Sequence, residues 1–204
     1  EIGYKTNAGD LFADISYYRS NYTGFIGTQQ FIGKEDGSRI TETDLQRTDT
    51  DPLRPRLIQV SVNADEDIVT QGAQLALEYA FARAFRLQGN YAWAHINDDN
   101  LGASVALGFN TPEHKVNLGA SGAIGNFTYR TNVRWHDRYA FQMPFAQGEI
   151  ESQVVLDGQV GYTIPALRTT FSVGGTNLTD TDYVTAYGAA PMGRIVYTSL
   201  SVSY

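Results

Sequence analysis

Hydrophobic and polar residues alternate along most of this chain. In the run RLQGNYAWAH, Leu87, Gly89, Tyr91 and Trp93 fall on one face, and Gln88, Asn90, Ala92 and Ala94 on the other. Period two is the signature of a strand with two unlike faces. Phe127, Tyr129, Val133, Trp135 and Tyr139 likewise alternate with Thr128, Arg130, Asn132, Arg134, His136 and Arg138. Val154, Leu156, Val160, Tyr162 and Ile164 oppose Asp157, Gln159 and Thr163, while Val196, Leu200, Val202 and Tyr204 oppose Tyr197, Ser199, Ser201 and Ser203. The pattern predicts nine strands, at 1–6, 11–26, 56–80, 86–97, 113–122, 127–141, 153–164, 168–178 and 194–204. Within 56–80 the parity changes, from even at Ile58, Val60 and Val62 to odd at Leu75, Leu77 and Tyr79. A β-bulge near Asp65, Glu66 and Asp67 is expected to reconcile the two halves.

The connections alternate too. Short turns are expected at Asn7 to Asp10, Phe81 to Phe85, Ala123 to Asn126 and Pro165 to Leu167, and long polar loops near 27–55, 98–112, 142–152 and 179–193. Tight turns at one end and long loops at the other suit a barrel in a bacterial outer membrane. A water-soluble β-sandwich also alternates. Three features favour the membrane: bulky charges such as Lys115, Arg130, Arg134 and Asp157 on the polar faces, aromatic residues (Tyr17, Tyr79, Trp93, Trp135, Tyr139, Tyr204) toward strand ends, and the length of several strands. No run nears the roughly 18 apolar residues of a membrane helix, so any spanning structure must be a closed sheet.

Composition sharpens this only at a few points. The 20 Gly, 13 Tyr and 10 Phe suit many strands joined by turns, and zero Cys excludes a disulfide framework and thiolate metal sites. A formal net charge of -7 argues against a nucleic-acid partner, whose phosphates demand a basic face. His95, His114 and His136 lie on different predicted strands without metal-site spacing, and no cofactor is implied. Asp65, Glu66 and Asp67 lack the spacing of a calcium loop, and the glycines of GASGAIG precede a strand where a dinucleotide fingerprint would open a helix. No catalytic constellation or nucleophile elbow occurs, so an enzyme is not expected.

The stretch GGTNLTDTDYVTAYGAAPMGRIVYTSLSVSY resembles the C-terminal signature of TonB-dependent outer-membrane receptors. Asn177, Leu178, Asp180 and Tyr183 match its N-L-x-(D/N)-x-x-Y motif, Pro191, Gly193 and Arg194 its P-x-G-R loop, and Tyr204 its aromatic terminus, where the family more often has Phe. EIGYKTNAGDLFADISYYRSNYTGFI resembles the family's recurring periplasmic hairpin, and TPEHKVNLGASG its P-x-H-K strand; the style is similar to receptors of Bacteroidetes-type bacteria. The resemblance implies an all-β fold: an antiparallel transmembrane β-barrel segment of about nine strands, part of a roughly 22-stranded barrel filled by a plug domain. Residues 1–204 are expected to be the C-terminal portion of that barrel, with the plug and earlier strands not among them.

The implied function is active uptake of a scarce solute, a siderophore, haem, cobalamin, glycan or peptide. The implied partners are outer-membrane lipid, the plug domain and remaining strands, the TonB complex acting through the plug, and a surface lipoprotein lid. A self-contained barrel of eight to ten strands, acting as a porin, adhesin or rim-located hydrolase, is the alternative. Arg130, Arg134 and His136, continued by Arg138, are expected to face the lumen as a positive ladder, paired with carboxylates such as Asp157 or meeting the solute directly. Solute contacts are expected from the loop Gly27 to Pro55, through Phe31, Lys34 and Arg39, and from Arg138, Phe141 and Phe145. The long loop serves equally well as a mobile gate.

Overall fold

A computed structural model describes residues 1–45, 55–64, 67–81, 84–97, 105–106, 109–143 and 146–203. Nine strands form one antiparallel sheet: β1 (Ile2–Ala8), β2 (Leu11–Tyr22), β5 (Ile68–Phe81), β6 (Phe85–Asn97), β8 (His114–Ile124), β9 (Phe127–His136), β12 (Gln153–Ile164), β13 (Thr169–Thr176) and β14 (Ile195–Val202), in that spatial order. Two smaller sheets rise from the long connections. One orders β4 (Arg56–Asn63), β3 (Ile26–Gly33) and β7 (Val105–Ala106), and the other is the hairpin β10 (Tyr139–Met143) with β11 (Ala146–Ile150). A single helical turn, α1 (Glu42–Leu45), follows β3.

Register keeps the two faces of the large sheet apart across consecutive strands. Tyr4, Ile15, Leu75, Tyr91, Val116, Trp135 and Val154 are successive cross-strand neighbours. One residue along, the row reads Lys5, Asp14, Ala76, Asn90, Asn117, Arg134 and Val155. Because side chains repeat with period two, one slip would exchange these rows wholesale, so register is tightly specified. The apolar face is uncovered: Leu118 is 56% exposed, Val160 59% and Leu200 67%. A continuous apolar surface of this kind requires an apolar surrounding.

Aromatic residues bracket that face. Toward the long connections each carries a polar handle: the Tyr17 hydroxyl donates to Gln71 Oε1 at 3.1 Å, Trp93 Nε1 to Glu113 at 3.0 Å, and Trp135 Nε1 to the Ser152 hydroxyl at 3.0 Å. Toward the short turns the rings pack on one another, as Phe127 on Tyr162 at 4.7 Å and Tyr79 near Phe81 at 6.3 Å. Amphipathic rings at one border and packed rings at the other are the expected dress of a surface that crosses two interfaces.

Three predicted strands prove to be pairs. The 11–26 run ends at Tyr22, Gly24 adopts a positive φ of 64°, and β3 begins in a different sheet at Ile26. The 127–141 run ends at His136, where the Asp137 carboxylate accepts the Arg138 backbone N–H at 2.8 Å and turns the chain out of the sheet. The expected bulge in 56–80 is a division between β4 and β5, which belong to separate sheets; the parity changes because each half obeys its own hairpin. Asp65 and Glu66 lie outside the described residues, as does the terminal Tyr204.

Candidate solute-facing surface

Phe31 sits on β3, whose partner β4 returns from Arg56. The Arg39 guanidinium lies 4.5 Å from the Phe31 ring centre and donates to Gln29 Oε1 at 2.9 Å. Cation and ring are therefore already satisfied by each other. Lys34 forms an ion pair with Asp44 at 2.8 Å. Asp44 also caps α1, accepting the Thr41 backbone N–H at 2.8 Å and its hydroxyl at 2.6 Å, in the T-x-x-D form of a capping box. The Lys34 ammonium, then the Thr41 hydroxyl and backbone donors, hold the Asp44 carboxyl well below its ordinary value. The structure thus brings Phe31, Lys34 and Arg39 onto one hairpin, with each charge engaged.

The second predicted group divides. Arg138 leaves the ladder with the turn at Asp137 and lies exposed, 4.0 Å from Glu149. Phe141 on β10 is buried at 6% exposure, and Phe145 lies outside the described residues. The face that Phe141 shares with Gly148 is covered from above: a Cβ added at Gly148 would lie 2.1 Å from the Tyr187 ring. Only glycine permits that approach. Phe141 is thereby a packing residue of the hairpin in this conformation.

On the polar face of the large sheet, Arg130, Arg134 and His136 share one side of β9. Arg134 Nη2 reaches both oxygens of Asp157, at 3.0 and 3.3 Å, and its Nε is enclosed without a partner. Asp157 Oδ1 also accepts the backbone N–H of Asn177 at 3.0 Å. His136 Nδ1 lies 2.7 Å from the Asp137 carbonyl. Arg130 is exposed beside its register partner Gln159, to which the Tyr197 hydroxyl donates at 3.4 Å. Further along, Asn117 Nδ2 donates to Asn90 Oδ1 at 2.7 Å within a trough of about 220 Å³ that also touches Gln88, Glu78 and Asn132. This wall offers amides and paired charges, groups that bind a polar surface by hydrogen bonds.

Sequence inspection marked Asn177, Leu178 and Asp180 as a signature without a role. Asn177 is fully buried at φ 53°, and its side chain donates to the Thr181 and Met192 carbonyls at 2.7 and 3.1 Å and accepts the Thr181 N–H at 3.0 Å. Asp180 accepts the Arg194 backbone N–H at 2.9 Å. The motif is a knot that ties the end of β13 to the start of β14. Asn suits it because its short amide tolerates the left-handed region while reaching backbone groups on both sides. Glu113 is a second unforeseen hub, taking the Trp93 indole and lying 3.2 Å from His95 Nδ1; those contacts, the indole first, keep its carboxyl below the ordinary value.

A family model described as TonB dependent receptor-like, beta-barrel, matches residues 1–178. Among solved structures, the copper transporter OprC superposes with a TM-score of 0.67 at 17% identity, over 99% of this chain and 30% of that one. The ferric citrate transporter FecA in its unliganded form gives 0.62 at 17% identity, over 96% and 29%. The FrpB iron transporter from Neisseria meningitidis gives 0.61 at 11% identity, over 97% and 30%. At such identities the likeness is one of fold, and the chain spans less than a third of each of these proteins. A comparison with curated protein sequences found no significant match.

Proposed function

The chain belongs to the TonB-dependent receptor β-barrel family, and from that premise we propose that it supplies wall strands and outer loops to a receptor that imports a scarce solute with energy from the TonB complex. Proteins of this family reside in the bacterial outer membrane, which gives the exposed apolar face its surrounding. The observation that carries the reading is the combination of a nine-stranded two-faced sheet with, among the described residues, structured hairpins at its long-connection end.

On this reading the polar face, with Arg130, Arg134 and His136, lines the lumen and meets the plug, through which the TonB complex pulls. The Arg134–Asp157 pair and the amide trough support contact with a folded polar domain, since paired charges and amides add partners by hydrogen bonding without stranding a buried charge. Solute is captured above the membrane, at the exposed Arg138 and at the hairpin of Phe31, Lys34 and Arg39, whose ring and charges would exchange their present partners for it. The neighbours named as copper, ferric citrate and iron transporters support reading the solute as a metal or its chelate, such as a siderophore, with haem, cobalamin, glycan and peptide as the other classes. A surface lipoprotein lid would rest on the outer hairpins. Transport of this kind needs no resident cofactor.

The test is uptake by cells carrying the intact receptor as their single route for a candidate solute. Saturable uptake that stops when TonB is removed or the proton gradient is collapsed is the expected result. Non-saturable flux indifferent to TonB would replace this reading with a self-contained pore.

A further inference from the structure

The segment after β6 joins the two outer sheets. Val105 and Ala106 pair with Gln29 and Thr28 of β3, and the Phe109 ring packs on Phe25 at 5.1 Å between centres, with Phe25 in turn edge-on to Tyr22 at 5.7 Å. One residue later the chain reaches the other sheet. Asn110 Oδ1 accepts the backbone N–H of Gln142 at 2.7 Å, and Asn110 Nδ2 donates to the Gln142 carbonyl at 3.0 Å. Gln142 pairs in register with Gln147 but directs both backbone groups away from β11 toward Asn110. A single side-chain amide thus occupies the open edge of β10 as a neighbouring strand would, matching one donor and one acceptor.

The contacts continue beyond β10. Tyr187 seats on Gly148 of β11, so the connection between β13 and β14 rests on the same hairpin, and Gln153 Nε2 at the start of β12 donates to its Val184 carbonyl at 3.3 Å. Among the described residues the four long connections are then joined in series, by the β3–β7 pairing, by the Asn110 amide on β10, and by the Tyr187 seat with the Gln153 amide. We infer that Asn110 is a positioning residue that couples the β3–β4–β7 sheet to the β10–β11 hairpin, so that the outer connections shift as one body when solute is captured. Capture itself rests on the function proposed above; the coupling does not.

Asn110→Ala removes both hydrogen bonds and leaves the strands and the Phe109 seat in place. In the intact receptor, spin labels at the exposed Gln59 and Gln147 report the distance between the two sheets without any solute. The wild type is expected to give one narrow distribution, and Asn110→Ala a distribution at least about twice as wide, with amide exchange at Gln142 about tenfold faster. Asn110→Asp keeps an acceptor for the Gln142 N–H and loses the donor to its carbonyl, so it should fall between them; it also serves if the alanine variant fails to assemble. Equal widths in wild type and variants, or a broad distribution already in the wild type, would overturn the coupling. Because no solute enters the measurement, failure here leaves the uptake test untouched, and failure of TonB-dependent uptake leaves the coupling untouched.

Discussion

The large sheet and the outer hairpins are both antiparallel β-structure, yet they are specified in different ways. In the large sheet a single rule, apolar on one face and polar on the other, repeats across consecutive strands, and no individual residue decides the outcome. Leu118 or Val160 could be another apolar residue and the register would still place it outward. In the outer hairpins the deciding contacts are singular: Tyr187 against Gly148, Arg39 over Phe31, Asp44 between Lys34 and Thr41, Asn110 on Gln142. A membrane wall is selected by the partition of many side chains between two solvents, whereas a loop in water must be held by specific packing and hydrogen bonds. The two regions should therefore respond oppositely to substitution. The wall should tolerate apolar exchange and reject charge; the hairpins should tolerate charge and reject loss of particular partners.

The sharpest way to break this contrast is a charge on the apolar face. Val160 lies mid-strand between Tyr129 and Val173. Val160→Arg should cost roughly 2 to 4 kcal/mol of folding free energy in a bilayer, while Val160→Leu should cost little. Denaturant titration of folding into vesicles measures both. Gln159, one residue away on the other face, should accept Arg at no more than about 1 kcal/mol, the cost of a like charge opposite Arg130. Equal penalties at 159 and 160 would mean that the two faces do not meet different solvents.

Next in size is the knot at Asn177, where wall and loop meet. Asn177→Ala would leave the Thr181 N–H and carbonyl and the Met192 carbonyl short of partners, at about 1 to 3 kcal/mol, and would add about 1 kcal/mol for the left-handed backbone. Asn177→Gly removes the same hydrogen bonds but relieves the backbone. The glycine variant should thus be the more stable of the two by about 1 kcal/mol in the same titration. If alanine equals or exceeds glycine, the positive φ carries no cost and this account of the motif fails.

These cases also explain what the sequence made legible. The nine strands of the large sheet, their order among sequential neighbours and the identity of each face could be read because period two is redundant: one misread residue among ten does not hide it. The division of 11–26, 56–80 and 127–141 could not, since a hairpin that leaves the membrane keeps alternating and merely changes partner. Local signs betray it, Gly24 in one case, the Asp137 turn in another and the change of parity in 56–80. At the candidate surface, the residue types of Phe31, Lys34 and Arg39 were readable, but their mutual engagement depends on α1 and on the return of β4. The register partner of Phe141, Gly148, meets the Tyr187 ring, which lies more than forty positions from Phe141 in sequence. The motif T-E-T-D at Thr41–Asp44 did carry a visible capping-box signal, short enough to be passed over inside a polar loop.

A smaller effect tests the packing in the hairpins. Gly148→Ala should force the Tyr187 ring aside at about 1 to 3 kcal/mol of local stability, read as faster amide exchange in β10 and β11, with the large sheet unchanged. Adding Tyr187→Ala to it should recover part of that loss, because the nearest clash is with the ring. A double variant no better than Gly148→Ala would show that the glycine serves the backbone and not the seat.

The smallest expected effect is electrostatic and lies at the tip of the longest connection. The Asp44 carboxyl titrates below its ordinary value of 3.8 because the Lys34 ammonium and the Thr41 donors favour its charged form. A group whose folded pKa lies below its unfolded one contributes stability that is present above the unfolded value and is lost as pH falls through the folded one. The cap on α1 should therefore be indifferent to pH from neutrality down to about 4, and should loosen only below that. Lys34→Ala removes the first of these causes, so the Asp44 titration should move up toward 3.8 and the loosening should begin at a higher pH. Cleavage near Glu42 by an acid-active protease, followed between pH 2 and pH 5 in wild type and variant, reports the opening of the turn. Identical profiles would remove Lys34 from the cap and leave its ammonium to the solute contact expected of it from the sequence.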